Sequence, residues 1–156
     1  MDESIVQLRN AIKKYWLGKI ELDALQIDEL NIERGAFIAV MGPSGSGKST
    51  LLNIIGGLDS PTTGEVIIDG INIANMPEKL ARLRREKIGF VFQFFNLIPT
   101  LSAIENVELP MILQGKSSRR EIHDRAKGLL KLVDLGDRLH HHPMELSRGE
   151  QQRVAI

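Results

Sequence analysis

Residues 42–50 read GPSGSGKST, with Gly42 and Gly47 separated by four residues and followed at once by Lys48 and Ser49. That spacing suits a loop that wraps phosphate. Gly42, Gly45 and Gly47 keep the main chain free of side chains, so successive N–H groups can line one concavity at a helix N-terminus, whose partial positive charge favours anionic oxygens. Lys48 offers a point charge to β and γ phosphates, and the Ser49 hydroxyl can bind Mg²⁺. Pro43, Ser44, Ser46 and Thr50 complete the loop. The implied ligand is a nucleoside triphosphate with magnesium. A Gly/Ser linker would share this composition, but it would not carry an apolar strand before it and an apolar helix after it.

Both are present. Phe37 to Met41 is almost wholly apolar and predicts a buried strand, and STLLNIIGGL from Ser49 predicts a helix packed through Leu51, Leu52, Ile54 and Ile55 and stopped by Gly56 and Gly57. Ile5 to Leu8 and Leu25 to Ile32 alternate apolar with polar residues, as half-exposed strands do. GEVIID, Gly64 to Asp69, predicts a short strand entering a DG turn, and Ile88 to Phe92 a second buried strand. In the second half, Ser118 with Glu121 and Ser147 with Glu150 have capping-box spacing. The first opens a helix with Ile122, Ala126, Leu129, Leu130 and Val133 at helical intervals until Gly136, and the second a helix that reaches Ile156. The sequence reads as one incomplete α/β domain that stops inside a helix.

A phosphate loop alone does not separate kinase, switch GTPase, helicase and transport ATPase. Two further motifs do: LSRGEQQR, residues 146–153, and Gln93 within FVFQFFNLIPTLSAIENVELP, residues 90–110. With them the sequence resembles the ATP-binding-cassette family, whose members carry a phosphate loop, a glutamine loop and an LSGGQ-type signature. GPSGSGKSTLLNIIGGLDSPTTGEV and the run from Ile88 to Pro110 are similar to the ATPase subunits of lipoprotein-releasing and macrolide-export transporters. The resemblance spans nearly the whole chain.

It implies an α/β P-loop NTPase fold, a RecA-like core with an antiparallel β subdomain and a helical subdomain, here without its C-terminal part. Residues 1–93 correspond to core plus β subdomain, 94–146 to the helical subdomain and 147–156 to the start of the signature helix. The implied cofactors are ATP and Mg²⁺. Lys48 and Gln93 take the catalytic positions, with Gln93 near magnesium and the water beside the γ-phosphate, and Tyr15 in KKYWLG stacks on adenine, although Trp16 is adjacent. Ser147, Gly149 and Glu150 face the γ-phosphate held by a second copy, so ATP joins two protomers. A transmembrane permease is the other implied partner, which puts the chain at the cytoplasmic face of the membrane, and Phe94 or Phe95 is offered to it.

The signature departs from LSGGQ at Arg148 and Glu150. Arg148 puts a long cation where a glycine admits phosphate, which either hinders the contact or reinforces it. The family's acidic pair and switch histidine follow the signature helix, so residues 1–156 alone are expected to lack turnover. Asp69 imitates the aspartate-bearing strand but precedes the signature and reads as a turn residue. A non-catalytic nucleotide-binding or regulatory module is the alternative reading; a GTPase or small-molecule kinase leaves Gln93 and LSRGEQQR unexplained and lacks an NKxD motif.

Composition narrows the rest. Twenty Lys and Arg balance twenty Asp and Glu, so no basic excess points to nucleic acid. Zero cysteines exclude disulfides, thiolate metal sites and cysteine nucleophiles. The apolar runs are strand-length, and MDESIVQLRN lacks the basic start of a secretory signal. His140 to His142 and the run Arg82 to Lys87 read as a solvated loop and a solvated helix face.

Overall fold

A computed structural model describes residues 4–73 and 77–156. The chain divides into two compact units, Met1–Ile88 and Gly89–Ile156.

The first unit is built on a long hairpin, β1 (Ser4–Leu17) and β2 (Ile20–Glu33), joined at Gly18 and Lys19. Helix α1 (Lys48–Ile55) follows, then β3 (Thr63–Ile68), β4 (Ile71–Asn72) and α2 (Pro77–Lys87). The sheet is antiparallel, in the order β2-β1-β3-β4. Val6, Leu8, Ala11, Ile54, Val66, Ile68, Ile73, Leu80 and Leu83 form its buried core. Strand alternation explains the choice, with one interruption. Val6 and Leu8 face inward, yet Ala11 does so as well, because Asn10 takes a left-handed φ of 47° and resets the phase of β1. The pairing of β1 with β3 shifts at the same place, between Arg9 and Ile12.

Gly64 makes that bulge possible. Its φ is +87°, and a Cβ there would collide with the Asn10 carbonyl and the Ala11 Cα. The expected DG turn is present: Asp69 and Gly70 have φ of 48° and 75°, the mirror-image turn that joins β3 to β4. Asp69 is neutralised by Arg34 at 2.5 Å and Lys87 at 3.1 Å, a structural use of its carboxylate.

Two expected strands do not form. Residues 36–43 and 88–92 enter no sheet, and Phe37 is 96% and Met41 88% exposed. A strand apolar on both faces needs a neighbour on each side and cover above and below. The four paired strands are antiparallel and lie elsewhere, so among the described residues neither run finds a partner. Helix α1 is also less buried than its composition suggests: Ile54 is fully enclosed, whereas Leu52 is half exposed.

The second unit is helical, with α3 (Ala103–Gln114), α4 (Arg119–Leu132), a 3₁₀ turn at Pro143–Glu145 and α5 (Arg148–Ala155). Ser102, Ser118 and Ser147 cap the three helices, each with Glu at the third helical position folding back. Ala103, Ile104, Ala126, Leu130, Leu135, Leu146 and Val154 are its core. Leu129, expected to face inward, is 44% exposed. The Ala103 and Ile104 amides donate to the His141 and Leu139 carbonyls at 2.8 and 2.9 Å, which fastens the loop after α4 to the start of α3.

Gly64 and Gly70 provide a matched comparison. Gly70→Ala meets open space and is expected to cost only its positive φ, about 1 kcal/mol, whereas Gly64→Ala should lose about 2 kcal/mol more because β1 has to move. Denaturant titration of the two variants checks the difference, and equal losses would contradict this account of the bulge.

Candidate nucleotide site

The phosphate-loop residues lie on the hairpin. Gly42, Gly45 and Gly47 have φ of 155°, 80° and 82°, all outside the range that side-chain-bearing residues favour. Gly47 is needed for a second reason: a Cβ would lie 2.6 Å from the Ala24 carbonyl oxygen, so only glycine lets the loop settle on β2. Gly47 is also the N-cap of α1, and it supplies no side-chain cap to the helix. No acidic residue stands in the first turn. The contrast with α3, α4 and α5 is plain, since each of those closes its N-terminus with Ser and Glu. The opening amides of α1, at Lys48, Ser49 and Thr50, have no carbonyl one turn behind them.

Lys48 completes the electrostatics. Its ammonium donates to the carbonyls of Gly42 at 2.9 Å and Pro43 at 2.7 Å and to Ser46 Oγ at 3.4 Å, so the charge is tethered across the loop. Among the described residues no carboxylate pairs with it. Uncapped amides plus a cation held by neutral oxygens form a donor set that fits polyphosphate, and the exposed Ser49 hydroxyl is a hard oxygen suited to magnesium.

A cavity of about 360 Å³ adjoins the loop, lined by Tyr15, Leu22, Asp23, Ala24 and residues 44–50. Tyr15 thus stands with the phosphate loop. Trp16 does not line the cavity and is 59% exposed, as the alternation of β1 requires. The Tyr15 hydroxyl donates to Asp59 Oδ2 at 2.7 Å, and Lys13 lies over the ring, 5.0 Å from its centre. Bonding to the Asp59 carboxylate, with some burial, raises the Tyr15 pKa, so the phenol stays protonated at neutral pH. Lys13 and Asp59 have no role assigned by the sequence motifs that contain them. The signal available was the two-residue step from Lys13 to Tyr15 along a strand; nothing local announces Asp59.

The remaining candidates belong to the helical unit. Gln93 is exposed in a turn, not at the end of a strand, and Phe95 and Asn96 after it have left-handed φ of 59° and 51°. The stretch is therefore bent, and Phe94 is 81% exposed. Ser147, Arg148 and Gly149 are exposed at the N-terminus of α5. The Ser147 hydroxyl accepts from the Glu150 amide at 3.3 Å, and Ser147 N–H donates to Glu150 Oε2 at 2.7 Å. The other Glu150 oxygen accepts from Arg138 Nε at 3.3 Å. This places the signature carboxylate against its own helix, where the Ser147 amide and hydroxyl, aided by Arg138, hold its pKa at about 2. Among the described residues no group of three His, Asp or Glu side chains is placed to hold a metal; the His142 N–H donates to Glu145 in the 3₁₀ turn, and the His141 carbonyl serves α3.

Residues 25–156 match the family described as ABC transporter. The chain is similar to the lipoprotein-releasing system ATP-binding protein LolD 1 of Chlorobium chlorochromatii, 53% identical over 81% of this chain and 52% of that protein. It is also similar to the macrolide export ATP-binding/permease protein MacB of Hyphomonas neptunium, 47% identical over 100% of this chain and 24% of that one. Among solved structures, a dimeric post-hydrolysis state of the ATP-binding cassette MJ0796 of Methanocaldococcus jannaschii, bound to ADP and Pi, superposes with a TM-score of 0.88. It is 52% identical and is matched over 96% of this chain and 66% of that one. The chain spans about 66% of the length of the first curated relatives it matches.

The Glu150 carboxyl gives a pH test. Its folded pKa lies below the ordinary glutamate value of about 4.3, so its contribution to stability is complete above that value and is lost as pH falls toward 2. Carboxyl ¹³C titration should place Glu150 near 2 in the natural chain and higher in Arg138→Gln; an ordinary glutamate midpoint in the natural chain would contradict the cap geometry.

Proposed function

Because the chain belongs to the ABC transporter family, we propose that it binds Mg-ATP at the loop 42–50 and serves as the nucleotide-binding part of a transport ATPase of export type. The observation that carries this reading is the start of α1: a glycine cap, no acid in the first turn, and the Lys48 ammonium tethered beside it by carbonyl oxygens. Gly42, Pro43, Ser44, Gly45, Ser46, Gly47, Lys48, Ser49 and Thr50 would surround the phosphates, and Tyr15 would take the base. Ser49 would be a magnesium ligand, and the ion when bound would supply charge neutralisation during hydrolysis; the family resemblance gives Gln93 the same role.

The second copy and the permease rest on relatives. The MJ0796 cassette is dimeric with ADP and Pi, and MacB joins ATP-binding and permease parts in one protein. On that basis Ser147, Gly149 and Glu150 are proposed to meet the γ-phosphate of a partner copy, and a membrane permease is the proposed recipient of the energy at the cytoplasmic face. The exposed Phe94 in the bent segment after Gln93 is the proposed contact with it. The division into core with β subdomain, helical subdomain and signature helix, at 93/94 and 146/147, belongs to the same proposal.

A second reading, a nucleotide-binding regulatory module, is favoured by Arg148, whose exposed side chain stands in the first turn of α5 where the family signature has glycine. It predicts stronger ATP-driven dimerisation by light scattering for Arg148→Gly.

Calorimetry tests the main reading. Lys48→Ala removes a charge-assisted contact, so Mg-ATP affinity should fall by at least about tenfold, or about 1.4 kcal/mol. Unchanged affinity would overturn the assignment of the loop.

A further inference from the structure

Asp59 has no role assigned to it by the sequence motifs, yet its carboxylate holds three partners, one of them the Tyr15 that lines the cavity. Its Oδ1 accepts from Lys13 Nζ at 2.5 Å and from the Ser60 amide at 2.7 Å, and its Oδ2 accepts from the Tyr15 hydroxyl at 2.7 Å. Lys13 also donates to the Ser60 carbonyl at 2.8 Å. The pair is sheltered, with 12% of the Lys13 and 28% of the Asp59 side chain exposed. Partial burial pushes the Asp59 carboxyl up, but the bonds from Lys13, Tyr15 and Ser60 outweigh it and hold the group ionised.

The main chain around Asp59 is tied at both ends. The Leu58 and Asp59 amides donate to the Asn53 carbonyl within α1, at 2.8 and 3.2 Å. Three residues on, the Thr62 amide donates to the Ile12 carbonyl at 2.7 Å and Thr62 Oγ1 accepts from the Lys14 amide at 2.9 Å. Asp59 therefore sits at the junction between the helix that begins with the phosphate loop and the strand that carries Tyr15. A tyrosine 36% exposed on a strand has rotameric freedom unless something holds it. Here the hydroxyl is fixed by Asp59, and one face of the ring is covered by Lys13. The ring borders the same cavity as residues 44–50.

We propose that Asp59, with Lys13, is a positioning residue for nucleotide recognition: it locks the Tyr15 ring as a base-stacking platform at a set distance from the phosphate loop, leaving the face opposite Lys13 to a nucleobase. This rests on the reading of 42–50 as the phosphate loop. The loop grips the triphosphate whatever base is attached; the Lys13–Asp59–Tyr15 group supplies the part of affinity that depends on having a base. Locking the ring in advance removes an ordering cost at binding, as preorganisation does in general.

The test compares Mg-ATP with magnesium tripolyphosphate, which has the phosphates and no base, by calorimetry on the whole chain. Asp59→Ala should weaken Mg-ATP binding about five- to tenfold, the order of one aromatic contact, and leave tripolyphosphate within about twofold. In a Tyr15→Ala background the same substitution should have no further effect on Mg-ATP. Asp59→Asn, which keeps an acceptor for the Tyr15 hydroxyl and preserves the size of the side chain, should recover part of the loss and stands in if Asp59→Ala does not fold. Equal losses for both ligands, or an undiminished Asp59→Ala effect without Tyr15, would overturn the inference and leave the phosphate loop standing. A natural chain that binds neither ligand would overturn the phosphate-loop reading and this inference with it.

Discussion

The positive end of α1 is the constraint on which the rest of the first unit depends. A helix N-terminus has amides that need acceptors, and proteins ordinarily supply them from Ser, Thr, Asp or Glu near the cap. Among the described residues, α3, α4 and α5 are capped in this way, by Ser102, Ser118 and Ser147. At α1 the chain instead places glycine, and Lys48 adds positive charge where a helix dipole already supplies some. Such an arrangement costs stability in the free protein, a cost that the proposed phosphate ligand would offset. The hairpin β1–β2 is the platform: the loop rests on the Ala24 carbonyl through Gly47, and the other strand presents Tyr15 and Lys13 beside it.

The same device appears in altered form at α5. There the N-terminus is occupied by a carboxylate of its own, Glu150, which is bound to the Ser147 amide and to Arg138. The phosphate loop is open toward a ligand, and the signature helix is closed upon itself. If the signature meets a partner's phosphate, as proposed, Glu150 is already neutralised by Arg138, which limits its repulsion of the incoming anion. Arg148, free of that network, is the cation left to face outward.

Local chemistry made much of this legible in the sequence. The loop, both capping boxes with Ser118 and Ser147, the DG turn at Asp69 and the helix through Ile122, Ala126 and Leu130 each announce themselves within about ten residues, because turn and cap preferences are local. The runs 37–41 and 88–92 behaved differently. Their apolar character describes a burial that neighbouring strands must provide, and the described sheet does not include them. Helix α3 escaped notice although Ser102 and Glu105 form a capping box, since Pro110 interrupts the pattern that would mark a helix. Asp59 was illegible for a different reason: its partners Lys13 and Tyr15 are more than forty residues away, and only the packing of α1 against the hairpin brings them together.

The most direct test of the central claim is the set of amide chemical-shift changes when Mg-ATP is added to the ¹⁵N-labelled chain. The largest changes should fall on the amides of Gly45, Gly47, Lys48, Ser49 and Thr50, with Tyr15 following. Changes concentrated elsewhere, or none at saturating nucleotide, would contradict the view that the uncapped start of α1 is built to receive phosphate.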